Sequence, residues 1–143
     1  MRIYLAAPLF TTGERDFNAA VGARLRDAGH EVFLPQEEEH DASNPARTFR
    51  RDVDRVDWSN VVVGITDGPD PDSGTAWEIG YAFAKGTPII LLRTDFREWG
   101  GRTGEVPYNL MLTESATVHI EVAAPTVDAA ARALIEALAR LSG

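Results

Sequence analysis

The chain predicts an α/β fold: a single-domain three-layer sandwich on a five-stranded parallel sheet, Rossmann-like or flavodoxin-like, in the order 2-1-3-4-5. Three observations carry this. Strand-like and helix-like segments alternate along the whole of residues 1–143, the pattern of a sheet covered by helices on both faces. Residues 61–66 and 88–92 are apolar throughout, as strands buried on both faces are. Two of the helix-like segments run out at Gly29 and Gly86, where glycine can take the left-handed turn that closes a helix.

Each element follows in order. Arg2–Ala6 is a short apolar strand. Residues 13–28 form an amphipathic helix with Phe17, Val21, Leu25 and Ala28 on one face, the 3.6-residue period of a half-buried helix. Residues 31–34 make the second strand. Residues 46–57 are helical, with Phe49, Val53 and Val56 expected to point inward. The strand over residues 61–66 leads through a loop rich in Pro, Gly and Asp into a helix that ends at Lys85-Gly86, with Pro88 behind it. Such Gly and Pro punctuation marks a helix end. Residues 88–92 form strand four, residues 94–107, with three glycines, a loop, and residues 116–122 strand five. Val127–Leu141 is the final helix, packing Leu134, Ile135, Leu138 and Leu141 inward. No repeat or linker divides the chain, so one domain is expected.

Composition narrows the function classes. At 143 residues, 44% hydrophobic and 25% charged, the chain can bury a core of its own. No apolar run reaches membrane-spanning length and the first segment reads as a strand, so a cytoplasmic protein without a membrane partner is expected. There is no cysteine, which excludes disulfides and thiolate chemistry. His30, His40 and His119 are scattered and form no ligand-spaced pair, so no metal and no organic cofactor is expected. A net charge of −8 argues against nucleic acid as a partner and is compatible with a neutral small molecule.

The chemistry-bearing stretch is Asp72-Ser73-Gly74-Thr75-Ala76-Trp77-Glu78-Ile79-Gly80-Tyr81. It follows strand three, so Asp72 and Glu78 lie near the carboxyl end of a parallel strand, where open α/β sheets bind ligands. A carboxylate at Asp72 can cap free N–H groups at the helix start. Glu78 lies between bulky Trp77 and Tyr81, an unusual setting for a charge unless its face lines a pocket. On spacing alone, a helix cap and a solvated glutamate explain the pair equally well. Tyr4, Phe10 and Gln36 converge on the same crevice, each with an alternative. Tyr4 can be a core tyrosine with a satisfied hydroxyl. Phe10 is a core aromatic or one wall of a base-stacking slot. Gln36 is a turn residue, or an amide facing a nucleobase edge. Asp52 lies among Arg47, Arg50, Arg51, Asp54, Arg55 and Asp57, which a salt-bridged surface helix explains.

The Asp72–Tyr81 stretch resembles the catalytic segment of the nucleoside 2-deoxyribosyltransferase family, in which an acidic residue precedes a glutamate in a Glu-hydrophobic-Gly-Tyr-Ala context. Ile3-Tyr4-Leu5-Ala6-Ala7-Pro8-Leu9-Phe10 resembles the family's first strand and loop, and Phe33-Leu34-Pro35-Gln36 the end of its second strand. Asp52 stands twenty residues before Asp72, as the family's base-side aspartate does. Asn109-Leu110-Met111 resembles the segment that one subunit lends to its neighbour's site. The resemblance spans roughly residues 1 to 121 and implies roles. Glu78 is the nucleophile that forms a glycosyl ester, Tyr4 its orienter, and Asp52 the general acid and base at the leaving and incoming nucleobase. Phe10, Gln36, Asp72, Gly74, Asn109 and Met111 are substrate-binding. Asp72 and the neighbour's Asn109 hold the 5′-hydroxyl, and Met111 packs near the nucleophile and sugar. The implied activity is transfer of the 2-deoxyribosyl group between nucleobases with retention. The implied partners are a nucleoside, a free nucleobase and further copies of the chain, in a homo-oligomer built from dimers with shared active sites.

Two departures bear on that reading. Some members end after the fifth strand and place the terminal carboxylate in the site, whereas this chain runs on through a helix to Gly143. Related nucleotide N-glycosidases tend to carry serines where this chain has Asp72 and Asn109. A carboxylate repels phosphate, so Asp72 favours free nucleosides, with Arg15, Arg47 and Arg93 left as candidate phosphate ligands. The alternatives are a nucleoside or nucleoside monophosphate N-glycosidase using the same site, and a non-catalytic nucleotide-binding module on the same fold.

Overall fold

The computed structural model describes residues 1–39, 41–95, 108–122 and 126–143. Five strands, β1 (Arg2–Ala6), β2 (Glu31–Phe33), β3 (Val61–Ile65), β4 (Ile89–Arg93) and β5 (Val118–Glu121), form one parallel sheet in the order β2-β1-β3-β4-β5. Helices α1 (Thr12–Asp27), α2 (Pro45–Trp58), α3 (Ser73–Lys85), α4 (Leu110–Thr113) and α5 (Val127–Leu141) connect or follow them. The expected strand order is the observed one. Among the described residues, no helix is long and apolar enough to cross a membrane.

Alternation along the central strands divides the core into two layers. Ile3, Leu5, Val61, Val63, Ile65, Ile90 and Leu92 face α1 and α5, where Val21, Leu25, Leu134 and Leu138 meet them. Tyr4, Ala6, Val62, Ile89 and Leu91 face the other way, against Val56 of α2 and Ile79 and Ala82 of α3. All of these are buried, each large aliphatic contributing about 1.5–3 kcal/mol through removal from water. Tyr4 is thus the buried polar side chain that β1 turns toward the α2 and α3 layer, while Arg2 at the strand's start lies over the Trp58 ring of α2.

The local signals act as read from the sequence, with shifts at the ends. Helix α1 begins one residue earlier than expected because Thr11 and Glu14 form a reciprocal capping box, which satisfies two free N–H donors at once. Strand β2 stops at Phe33 and gives way to a single 3₁₀ turn over Pro35–Glu37, proline presetting the turn. Strand β5 is shorter at both ends than expected. Helix α3 closes on Gly86 at φ +72°, the left-handed conformation glycine takes without strain. The loop expected over residues 94–107 falls mostly outside the described residues.

Phe49 corrects the expectation for α2. Its ring is 55% exposed, not inward, and lies edge-on to Trp77 with centroids 5.3 Å apart. Val56 is the residue of this helix that reaches the core. The Phe49 ring joins a surface ladder in which Trp77 stacks on Tyr81 at 5.4 Å, so α3, rather than the sheet, supplies its apolar neighbour.

One contact sets how close α3 comes to the sheet. A Cβ built on Gly64 would lie 2.9 Å from both Ile79 Cδ1 and Leu91 Cδ2, closer than real Cβ atoms come to their neighbours. Gly64 leaves that space to the buried Ile79, the residue after Glu78.

Candidate active site

The site is built where β1, β3 and the N-terminal half of α3 meet. Tyr4 is fully buried between β2 and β3, paired in register with Phe33 and Val62, and its ring stacks on Phe33 at 5.4 Å. Its hydroxyl donates to Glu78 Oε1 at 2.6 Å. The core reading and the functional reading of Tyr4 are therefore the same fact: a core tyrosine whose hydroxyl is satisfied by the candidate nucleophile.

Electrostatics sharpen the pair. Burial, followed by the facing Glu78, pushes the Tyr4 hydroxyl far above its usual range, so it remains a donor at any working pH. Burial also raises the Glu78 carboxyl, to about 7. The Tyr4 hydrogen bond opposes that rise by favouring the anion, while the charges of Asp52 and Asp72 add to it. A partly buried carboxylate near neutrality, oriented by one hydroxyl, is suited to attack an electrophilic carbon.

Asp72 and Asp52 stand within electrostatic reach of Glu78 from two elements. Asp72 is the N-cap of α3, its Oδ2 accepting from the Thr75 N–H at 2.9 Å and from Thr75 Oγ1 at 3.3 Å. A Cβ at Gly74 would come within 3.1 Å of that same oxygen, so Gly74 clears the space the cap occupies. Asp52, on α2, is partly buried and accepts from Arg51 Nε at 3.0 Å and Nη2 at 2.9 Å, both at Oδ1. Its charge acts on both Tyr4 and Glu78. The salt bridge expected on α2 is present, and one of its members also faces the candidate nucleophile.

The remaining candidates are placed differently. Phe10 is 72% exposed in the loop after β1, a free aromatic face rather than a core side chain. Gln36 is committed within the chain: its Oε1 accepts from Asn18 Nδ2 at 3.1 Å and its Nε2 donates to the Arg15 carbonyl at 2.8 Å. Asn109 caps the short helix α4 by accepting from the Met111 N–H at 2.9 Å, and Met111 is 73% exposed. Asn109 and Met111 line a groove of about 580 Å³ with Ser73, Ala76, Gly80 and Phe83 of α3. Those α3 positions lie on the side of the helix opposite Glu78. One chain therefore does not bring Asn109 and Met111 to its own Glu78.

Two features escaped sequence reading. Asn18 is buried and donates to both the Pro8 carbonyl and Gln36, fastening the loops after β1 and β2 together. Its signal was a polar residue three and seven positions before Val21 and Leu25, on the apolar face of α1. Arg51 holds Asp52. Arg93, named above as a candidate phosphate ligand, is buried at the end of β4, where it donates to the Thr66 and Gly68 carbonyls and lies over the Tyr108 ring at 5.3 Å. It braces the loop after β3, together with Asp67, which accepts from the N–H groups of Thr94 and Asp95. Among the described residues no histidine and carboxylate groups gather as a metal site; His40 lies outside them.

Comparison with known proteins agrees with this fold. The chain shares 31% identity with a 2-deoxyribosyltransferase from the psychrotolerant bacterium Bacillus psychrosaccharolyticus, covering 85% of this chain and 87% of that one with a TM-score of 0.70. A 2-deoxyribosyltransferase from Leishmania mexicana shares the fold at 22% identity and a TM-score of 0.69, over 94% and 97% of the two chains. A CMP N-glycosidase from Clostridium botulinum shares it at 22% identity and a TM-score of 0.64, over 94% and 98%. No curated protein sequence matches the chain significantly. The nucleoside 2-deoxyribosyltransferase family model matches residues 3–111, a span that holds Tyr4, Asp52, Asp72, Glu78 and Asn109, and the chain belongs to that family.

Proposed function

We propose that the protein transfers the 2-deoxyribosyl group between nucleobases through a glycosyl ester on Glu78. The observation that carries this is the 2.6 Å hydrogen bond from the buried Tyr4 hydroxyl to Glu78, with Asp52 and Asp72 flanking the same carboxylate. The ionised Glu78 attacks the anomeric carbon as the bond to the base nitrogen breaks through an oxocarbenium-like state. Asp52 gives a proton to the departing base. A second base then attacks the same carbon, Glu78 leaves as carboxylate, and Asp52 takes the proton from the incoming ring. Two inversions give net retention. Asp72, a carboxylate at the sugar end, favours a free 5′-hydroxyl over a phosphate.

Incubating a 2′-deoxynucleoside with a different free base, in the presence of a chelator, is expected to yield the exchanged nucleoside without any cofactor. Chromatography of the products decides between readings. Free sugar released at a rate indifferent to added base would make the protein an N-glycosidase, in which water intercepts the same ester. Binding without turnover would make it a nucleotide-binding module.

The working unit in this proposal is a homo-oligomer in which one subunit's Asn109 and Met111 complete its neighbour's site. Support comes from their placement on the far side of α3 from Glu78, and from exposed Phe83 and Met111 lining the groove. Mixing inactive Glu78→Ala and Asn109→Ala protomers is expected to restore activity to about a quarter of the wild-type level. This is because half of randomly formed dimers are mixed and each carries one intact site. No recovery despite demonstrated subunit exchange, or an active monomer, would sink the shared site.

A further inference from the structure

We infer that Arg51 is a positioning residue that aims Asp52 at the nucleobase. The inference rests on the proposed transfer reaction and concerns how its proton-carrying carboxylate is held. A free aspartate on a helix surface rotates about two torsions and presents either oxygen. Here the guanidinium takes a single oxygen twice, Nε and Nη2 both donating to Oδ1 at 3.0 and 2.9 Å. Among the described residues no donor is placed on Oδ2. The third nitrogen, Nη1, donates to the Glu39 carbonyl at 3.0 Å. Arg51 therefore fastens the segment that follows β2 to α2 with the same planar group that grips Asp52.

That arrangement does more than a surface ion pair does. Exposed pairs contribute little because both partners are solvated and mobile. Arg51 and Asp52 are instead only 22% and 21% exposed at their side chains. The guanidinium fork is rigid and planar, so it fixes direction as well as charge. It also places a cation within electrostatic reach of Tyr4, beside a cluster containing Glu78, Asp52 and Asp72. On its other side Arg51 lines a cleft of about 590 Å³ with Glu38, Glu39, Asp41 and Arg47. With Oδ1 retained by Arg51 throughout, the proton passes between Oδ2 and the base nitrogen in both half-reactions, out to the leaving base and back from the incoming one. Lysine has one compact ammonium and cannot make the doubled contact while reaching the Glu39 carbonyl.

The test compares Arg51→Lys and Arg51→Gln with the wild type on two substrates, a natural 2′-deoxynucleoside and a deoxyriboside whose leaving group needs no proton. Both variants are expected to lose about 10–100-fold in kcat on the natural substrate, within the range of a general acid–base contribution. On the activated substrate they are expected to stay within about threefold of wild type, with KM little changed. Thermal unfolding of each variant is followed in parallel, because loss of the tie to the Glu39 carbonyl lowers stability without distinguishing substrates. Equal losses on both substrates, or no loss on either, would overturn the assignment of Arg51 while leaving the proposed reaction in place. A wild-type chain inert toward both substrates would overturn the reaction, and this role with it.

Discussion

Glu78→Gln is expected to lose several orders of magnitude in transfer rate and, at the same time, to make the fold more stable above neutral pH. Glutamine keeps the shape and can still accept the Tyr4 hydrogen bond, but it has no charge and no attacking oxygen, so covalent catalysis is lost. The stability change follows from the raised Glu78 carboxyl, which moves from an ordinary 4.5 to about 7. Below pH 4.5 the group is protonated in both folded and unfolded chains and costs nothing. Between 4.5 and about 7 the unfolded chain ionises first, so stability falls as pH rises. Above about 7 the loss is complete and amounts to about 3 kcal/mol. The variant never ionises and escapes it. Denaturant unfolding at pH 4 and pH 8 should therefore show wild type and variant alike in acid and separated in base, with the variant the more stable. On a deoxyriboside whose leaving group needs no proton from Asp52, the wild-type rate should fall about tenfold per pH unit below neutrality, as Glu78 takes up its proton. A variant retaining a tenth of wild-type activity would remove Glu78 from the role, and a variant less stable at pH 8 would remove the charge argument.

Asp52→Asn is expected to separate substrates rather than silence the enzyme. Loss of proton transfer to the base removes a contribution of about 10²–10⁴-fold, and only where the leaving base needs the proton. Natural deoxynucleosides should show that loss in kcat, whereas an activated deoxyriboside should be cleaved at close to the wild-type rate. Paired kinetics on the two substrates measure it. Equal losses on both would return Asp52 to the ordinary business of a salt-bridged helix.

The sheet was legible because its strands are continuous apolar runs and its helices carry capping residues and closing glycines, signals that act locally. The same holds for Asp72, whose capping role follows from its position one residue before α3. What sequence could not settle depended on which helix stands beside which. Phe49 shares a helical face with Val53 and Val56, yet the neighbour it meets is Trp77 of α3. Asp52 looks like any member of a mixed-charge helix until α2 is laid against the Tyr4 and Glu78 pair. Without family resemblance nothing in its spacing selects it. Gln36 reads from sequence as either a turn residue or an amide facing a nucleobase edge, and it lies in the 3₁₀ turn after β2. Asn18 and the Arg15 carbonyl also bond the two ends of that amide, and partners 18 and 21 residues away leave no mark on local pattern.

The missing side chain at Gly64 carries a consequence beyond packing. A helix usually rides on a sheet at a spacing set by the bulk of the residues between them, and that spacing is tuned in steps of a methyl group. Here the step is the smallest possible, with Ile79 and Leu91 occupying the space a Cβ would need. The gap between the layers works as a gauge: it bears on the 2.6 Å separation of two oxygens, one on each layer, across which the Tyr4 hydroxyl donates to Glu78. The acidity of the candidate nucleophile is thereby tied to an apolar contact below it, so that hydrocarbon atoms lying beneath the carboxylate help to set the pH at which it ionises.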